Sequence, residues 1–219
     1  MDAAAIIAIW KQRLTSIANQ PEYVFRNTPQ HLIEQHYRRL TNFIGYSEEE
    51  VALAENRLSV LFPAVFREFL LEMAKSPGDL FRGSNLAGIT EFEQFRVDAL
   101  ELMAETDPTL TLPPEAVVFL SHQGYTFFYL LARGGFDASP IQWTETHLEP
   151  RIVAGTFKEM IDAELQLMEG VNRDFRNQGG LYLTLTADGG MSQWHPSLAS
   201  GERPLDHAVK NKRWWKLWT

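Results

Sequence analysis

Histidine is the side chain best suited to proton transfer or metal binding near neutral pH, and this sequence has six. His31 and His36 look like a pair. Their spacing places them about 140° apart around a helix of 3.6 residues per turn, whereas two zinc ligands on one helix need three- or four-residue spacing. A shared metal is therefore not expected there. His147 lies between Glu145 and Glu149 in a short polar stretch. Such a trio could hold a metal or pass a proton, or simply be solvated charge. His122 sits in "VVFLSHQGYTFFYLLARGG", residues 117–135, where the polar tetrad Ser121-His122-Gln123-Gly124 separates two apolar, aromatic-rich runs. A histidine at a strand end suits a functional position, but a general base needs an orienting partner, and its sequence neighbours offer only Ser121 and Gln123. Three roles stay open for it: structural, part of a partner-binding surface, or catalytic.

Other chemistry is narrowed by absence. With no cysteine, the chain has no disulfide, thiolate zinc site or cysteine nucleophile. It carries no phosphate-cradling glycine loop of the Walker or GxGxxG type and no GxSxG nucleophile elbow. No catalytic residue, cofactor or metal is expected. The terminal "KNKRWWKLW", residues 210–218, interleaves four cations with three tryptophans. It could stack bases or meet lipid. Docking on the acidic centre of the same protein is the favoured reading, with a partner-binding arm or a nucleic-acid contact as the alternatives.

The formal charge of -8 is unevenly spread. Residues 1–46 carry 5 Lys/Arg against 3 Asp/Glu, residues 47–168 carry 8 against 20, and residues 169–219 carry 7 against 5. A centre of net charge -12 repels nucleic acid and favours basic partners, although acidity also serves solubility alone. The opening "MDAAAIIAIWKQR" has no basic lead, and its apolar run breaks at Lys11. It resembles neither a signal peptide nor a membrane span, and a cytoplasmic protein is expected.

The elements that must position these residues follow from periodicity. Ile6, Ile7, Trp10, Leu14 and Ile17 predict a first helix stopped at residues 19–21. Thr28 as N-cap and Pro29 predict a second, with Leu32, Ile33, Tyr37, Leu40 and Ile44 on one face and Gly45 at its end. Ser47 and Glu50 form a capping box opening a third helix, with Val51, Ala54, Leu58 and Leu61 inward. After Pro63, Phe66, Phe69, Leu70 and Met73 give a fourth, and residues 91–105 a fifth. Short β-branched and aromatic runs then predict strands at 117–120, 126–131, 141–143 and 151–153, with one more near Leu86. Thr156 to Glu159 is a second capping box, opening a helix through Met168. Strands over 181–186 and 191–195 flank the turn Ala187-Asp188-Gly189-Gly190. Helices followed by sheet, helix and hairpin make an α+β protein.

At this level of detail the chain resembles the SUKH superfamily, which includes the yeast cell-wall-synthesis regulators. "SEEEVALAENRLSVLFPAVFREFLLEM" is similar to the family's acidic helix, leucine–proline step and helix ending in an "FL" pair. Glu55, Leu58, Phe62-Pro63, Phe66, Phe69 and Leu70 stand at those places. "PPEAVVFLSHQGYTFFYLLARGGFDASPIQW" resembles the family's strand, glycine-bearing turn, "FFY" strand and proline leading to a short strand, and "GTFKEMIDAELQ" its final helix. The family often carries Asn-Gly after the "FL" helix, whereas here the chain runs into "EMAKSPGD".

The resemblance covers residues 45–168 and implies there a SUKH-like domain with a mostly antiparallel sheet flanked by helices; the residues themselves predict a helical extension over 1–44 and a hairpin with a basic tail over 169–219, packed on the domain. It implies a non-catalytic immunity protein that neutralises a cognate bacterial toxin of a polymorphic or contact-dependent system. The alternative is an intracellular regulatory or scaffold module of the same fold. The acidic centre suits a basic toxin such as a nuclease. His122, Gln123, Tyr125, Trp143 and Glu145 are the expected partner contacts, on a surface beside the sheet.

Overall fold

A computed structural model describes residues 2–187 and 190–194. Asp188 and Gly189 of the predicted turn, and the basic tail over 210–218, lie outside the described residues. The protein is α+β. The chain divides into two compact units, Met1–Lys11 with Phe43–Glu164 and Gln12–Asn42 with Leu165–Thr219.

In the first unit, α1 (Ala3–Asn19) contributes its first turns. There Ile6, Ile7 and Trp10 are buried, and Trp10 Nε1 donates to Asp162 Oδ1 at 3.0 Å. α3 (Glu48–Leu58) opens on the predicted capping box, with Ser47 Oγ accepting from the Glu50 N–H and Glu50 Oε2 from the Ser47 N–H. Val51 and Ala54 point inward. Leu61 does not: it is 64% exposed, because the chain leaves the helix at Ser59 with φ +54 and Leu61 bridges to Arg133 instead. α4 (Ala64–Glu72) and α5 (Phe92–Thr106) follow as expected.

The sheet has the order β2-β3-β4-β5-β6, antiparallel throughout. Its strands are β2 (Asn85–Leu86), β3 (Ala116–His122), β4 (Thr126–Leu131), β5 (Ile141–Thr144) and β6 (His147–Ile152). β3 and β4 are buried along most of their length, as strands covered on both faces are. On one side Ala99 and Met103 of α5 meet Ala116, Val118, Phe127, Tyr129 and Trp143. Elsewhere in the core, Phe66 and Phe69 of α4, Phe119 of β3 and Phe157 of α6 (Phe157–Asn177) make edge-on ring contacts at 5.3–5.7 Å. Each buried ring contributes about 2–3 kcal/mol of apolar transfer, and the ring pairs about 0.5–1.5 kcal/mol more. Residues 148–150 of β6 lie opposite Trp143 in an irregularity of register, and Pro150 is among them.

Gly45 does not end a helix, since α2 (Gln30–Thr41) stops earlier. Its role is close approach. A Cβ there would lie 1.8 Å from the Leu71 carbonyl oxygen, beside the hydrogen bond from Tyr46 N–H to Leu70 O.

The second unit has a three-stranded sheet, β1-β7-β8. β7 (Leu181–Leu185) and β8 (Met191–Trp194) form the expected hairpin. β1 (Tyr23–Phe25), not anticipated, adds in parallel with Tyr23 opposite Leu181. That strand also changes the role of Thr28. Pro29 is the N-cap of α2, while the Thr28 hydroxyl donates to Arg26 O and accepts from the Leu185 N–H of β7. α6 runs on past Met168 to Asn177, and Glu169 accepts two hydrogen bonds from Arg13, at 2.8 and 3.0 Å.

Candidate functional site

The β3–β4 turn is built by two residues of positive φ, Gln123 at +53° and Gly124 at +78°, the pattern of hairpin turns whose twist matches the strands. Open space surrounds the missing Cβ of Gly124, so conformation alone selects glycine there. The Tyr125 hydroxyl donates to Gln123 Oε1 at 2.7 Å. Thr126 pairs with Thr144 across β4 and β5, and their buried hydroxyls lie 3.0 Å apart. That register sets the β5–β6 turn beside the β3–β4 turn, where the Glu145 N–H donates to Tyr125 O at 3.2 Å. Gln123, Tyr125 and Glu145 thus gather as exposed residues at one end of the sheet.

His122 closes this surface from within. Its Nδ1 lies 2.9 Å from Ser84 Oγ, and the Tyr125 ring stands edge-on to it at 6.4 Å. Nε2 is buried without a hydrogen-bond partner among the described residues. Desolvation by burial holds its pKa below the ordinary histidine value, with the Gly83 backbone opposing, which favours the neutral ring. Ser84 and His122 resemble part of a nucleophile–base pair. A working base is oriented by a group on its second nitrogen, and that buried nitrogen has none among the described residues. Ser84 was not legible as a neighbour. Only the β2–β3 pairing of Asn85 with Ser121 brings it there.

Trp143 does not belong to the exposed surface. It is 0% exposed and stacks on Phe127 at 5.3 Å, so it packs beneath the surface on which Gln123, Tyr125 and Glu145 are exposed. His147 and Glu149 lie on β6 rather than in a loop, and Glu149 is exposed. His36 is engaged in the second unit, its Nε2 2.6 Å from the Tyr23 hydroxyl, while His31 is exposed. Among the described residues no three His, Asp or Glu side chains gather as a metal site would require.

The second unit also holds a cavity of about 370 Å³. Tyr23, Phe25, Ile33, Glu34, His36 and Tyr37 are among the residues that line it. The rings of Tyr23, Phe25 and His36 meet pairwise edge-on at 5.4–5.6 Å.

Among the described residues no helix is long and apolar enough to cross a membrane. No curated protein matches the chain. The model of the SMI1 / KNR4 family (SUKH-1) matches residues 45–163, which hold α3 to α5, the whole five-stranded sheet and the start of α6. That family's domains are of an immunity-like or regulatory kind, act through protein partners and are in general non-catalytic. A match over more than half of the chain, on the unit that carries the sheet-end surface, makes this protein a member of the SMI1/KNR4 (SUKH-1) family.

Proposed function

We propose that this protein is an immunity protein that binds a cognate bacterial toxin and neutralises it by occlusion, without chemistry of its own. The observation that carries the reading is the sheet end. Gln123, Tyr125 and Glu145 are displayed together on two adjoining hairpin turns, backed by the half-buried His122. Tyrosine suits such a surface because it offers large contact area with few rotatable bonds and a polar tip. The charge of residues 47–168 supports a basic partner, a nuclease being one class. Among the described residues the Ser84–His122 pair has no orienting group on Nε2, which supports a binding rather than a hydrolytic role. Residues 45–168 are taken as the binding domain, and the protein is assigned to the cytoplasm, where such a toxin would be met.

Co-expression with toxins encoded beside the gene tests the proposal. Wild-type protein should restore growth and co-purify with one of them. Tyr125→Ala combined with Glu145→Lys should weaken that complex at least tenfold, as loss of a contact worth about 1–2 kcal/mol would, while leaving the melting temperature in place. Failure of every neighbouring toxin to bind the wild-type chain sinks the proposal.

A further inference from the structure

A buried acid in the first unit is tied to the same surface by a short loop. Glu164 of α6 accepts a hydrogen bond from the Phe81 N–H through Oε1 at 2.5 Å. Its Oε2 is buried with no partner among the described residues. Burial pushes its carboxyl up to about 7, with the Phe81 N–H opposing and the nearby Asp79 adding to the rise. Asp79 is the charged side chain facing it, and Arg82 pairs with Asp79 at 3.6 Å.

Phe81 is held in a costly conformation. Its φ is +60°, uncommon for a bulky residue, and its buried ring stands edge-on to Phe69 at 6.3 Å. From Phe81 a hydrogen-bonded path leads outward. The Ser84 N–H donates to Phe81 O at 2.9 Å, and Ser84 Oγ lies 2.9 Å from His122 Nδ1. His122 is faced by Ser84, the Gly83 backbone and Tyr125. One end of the loop therefore grips a proton-binding group in the core, and the other seats the imidazole behind the hairpin tip.

We propose that residues 77–84 are a proton-sensitive latch: ionisation of Glu164 leaves an unhydrated charge beneath the closed loop, favours its opening against the hold of the Phe81 N–H, and through Ser84 unseats His122 and the tip formed by residues 123–125. Only the consequence for a partner rests on the function proposed above. The closed loop holds the Glu164 proton more tightly than an open, hydrated loop would. Closure is thus fully favoured below the ordinary carboxylate range, weakens as pH rises, and levels off above about 7. An ionised Glu164 would be a buried charge with one bare oxygen beside Asp79, and opening hydrates it.

Hydrogen exchange on the full chain, corrected for intrinsic rates, tests the latch. The opening constants of the Phe81 and Ser84 amides should rise about tenfold between pH 5.5 and 6.5 and flatten above about pH 7, following proton linkage. Glu164→Gln keeps an oxygen for the Phe81 N–H and should abolish the rise. Asp79→Asn removes the like charge and should move the rise to lower pH, which keeps the test open if the glutamine variant fails to fold. The His122 ring signal in NMR should show an inflection near pH 7 that Glu164→Gln removes. Exchange that does not depend on pH, or that rises unchanged in both variants, overturns the latch. A His122 signal indifferent to Glu164→Gln overturns its reach to the surface. Neither readout involves a partner, so failure to bind any toxin would sink the proposed function and leave these outcomes untouched.

Discussion

Tyr125 and Trp143 are neighbouring aromatics at the sheet end with opposite fates. Tyr125 is 37% exposed and Trp143 is 0% exposed. In sequence both look like candidate contacts, because each is an aromatic beside polar residues. What separates them is non-local: β4–β5 register sets Trp143 opposite Phe127, and the two rings stack. Period-two alternation could not have shown this, since Gln142 on the opposite face of β5 is buried as well. The difference has a measurable consequence. Trp143→Ala should cost about 3–5 kcal/mol in urea unfolding, as removal of a core ring does, whereas Tyr125→Ala should stay within about 1 kcal/mol. The β3–β4 turn was legible for the opposite reason. A glycine between two aromatic-rich runs dictates its own local geometry, and Gly124 adopts it.

At the scale of elements, legibility follows how local the cause is. The Ser47–Glu50 box needs only four residues and forms as predicted. Strand β1 needs a partner more than a hundred and fifty positions away, and with three residues it has no period of its own to read. Thr28 follows the same strand, because a threonine before Pro29 is a plausible cap until β7 claims its hydroxyl. The end of α6 was likewise hidden, since its last turns carry few apolar residues while Arg13 grips Glu169 from another helix. Gly45 shows the same effect at a junction. Its need arises from the α4 backbone, so Gly45→Ala should force the Leu71 carbonyl aside and cost more than about 3 kcal/mol. A melting curve close to wild type would show that the junction yields more easily than the packing implies.

For the whole molecule, the α+β class was readable because helical and strand periodicities occupy separate stretches of chain. The charge distribution was readable outright. With residues 47–168 at net -12, capture of a basic partner should be steered, and its association rate should fall steeply with added salt while dissociation changes little. Stopped-flow association at low and physiological ionic strength distinguishes this from a surface that is acidic only for solubility, whose rate would be indifferent to salt. One remaining feature bears on how the edges of the five-stranded sheet are protected. Pro150 removes a backbone donor from β6, the outermost strand, at the place where its register is already broken. A neighbouring copy cannot run a full ladder along that margin. At the other margin β2 has only two residues. Strand addition is thereby disfavoured at both margins of this sheet, whereas the side chains at its end can change from one sequence to the next without disturbing the ladder beneath them.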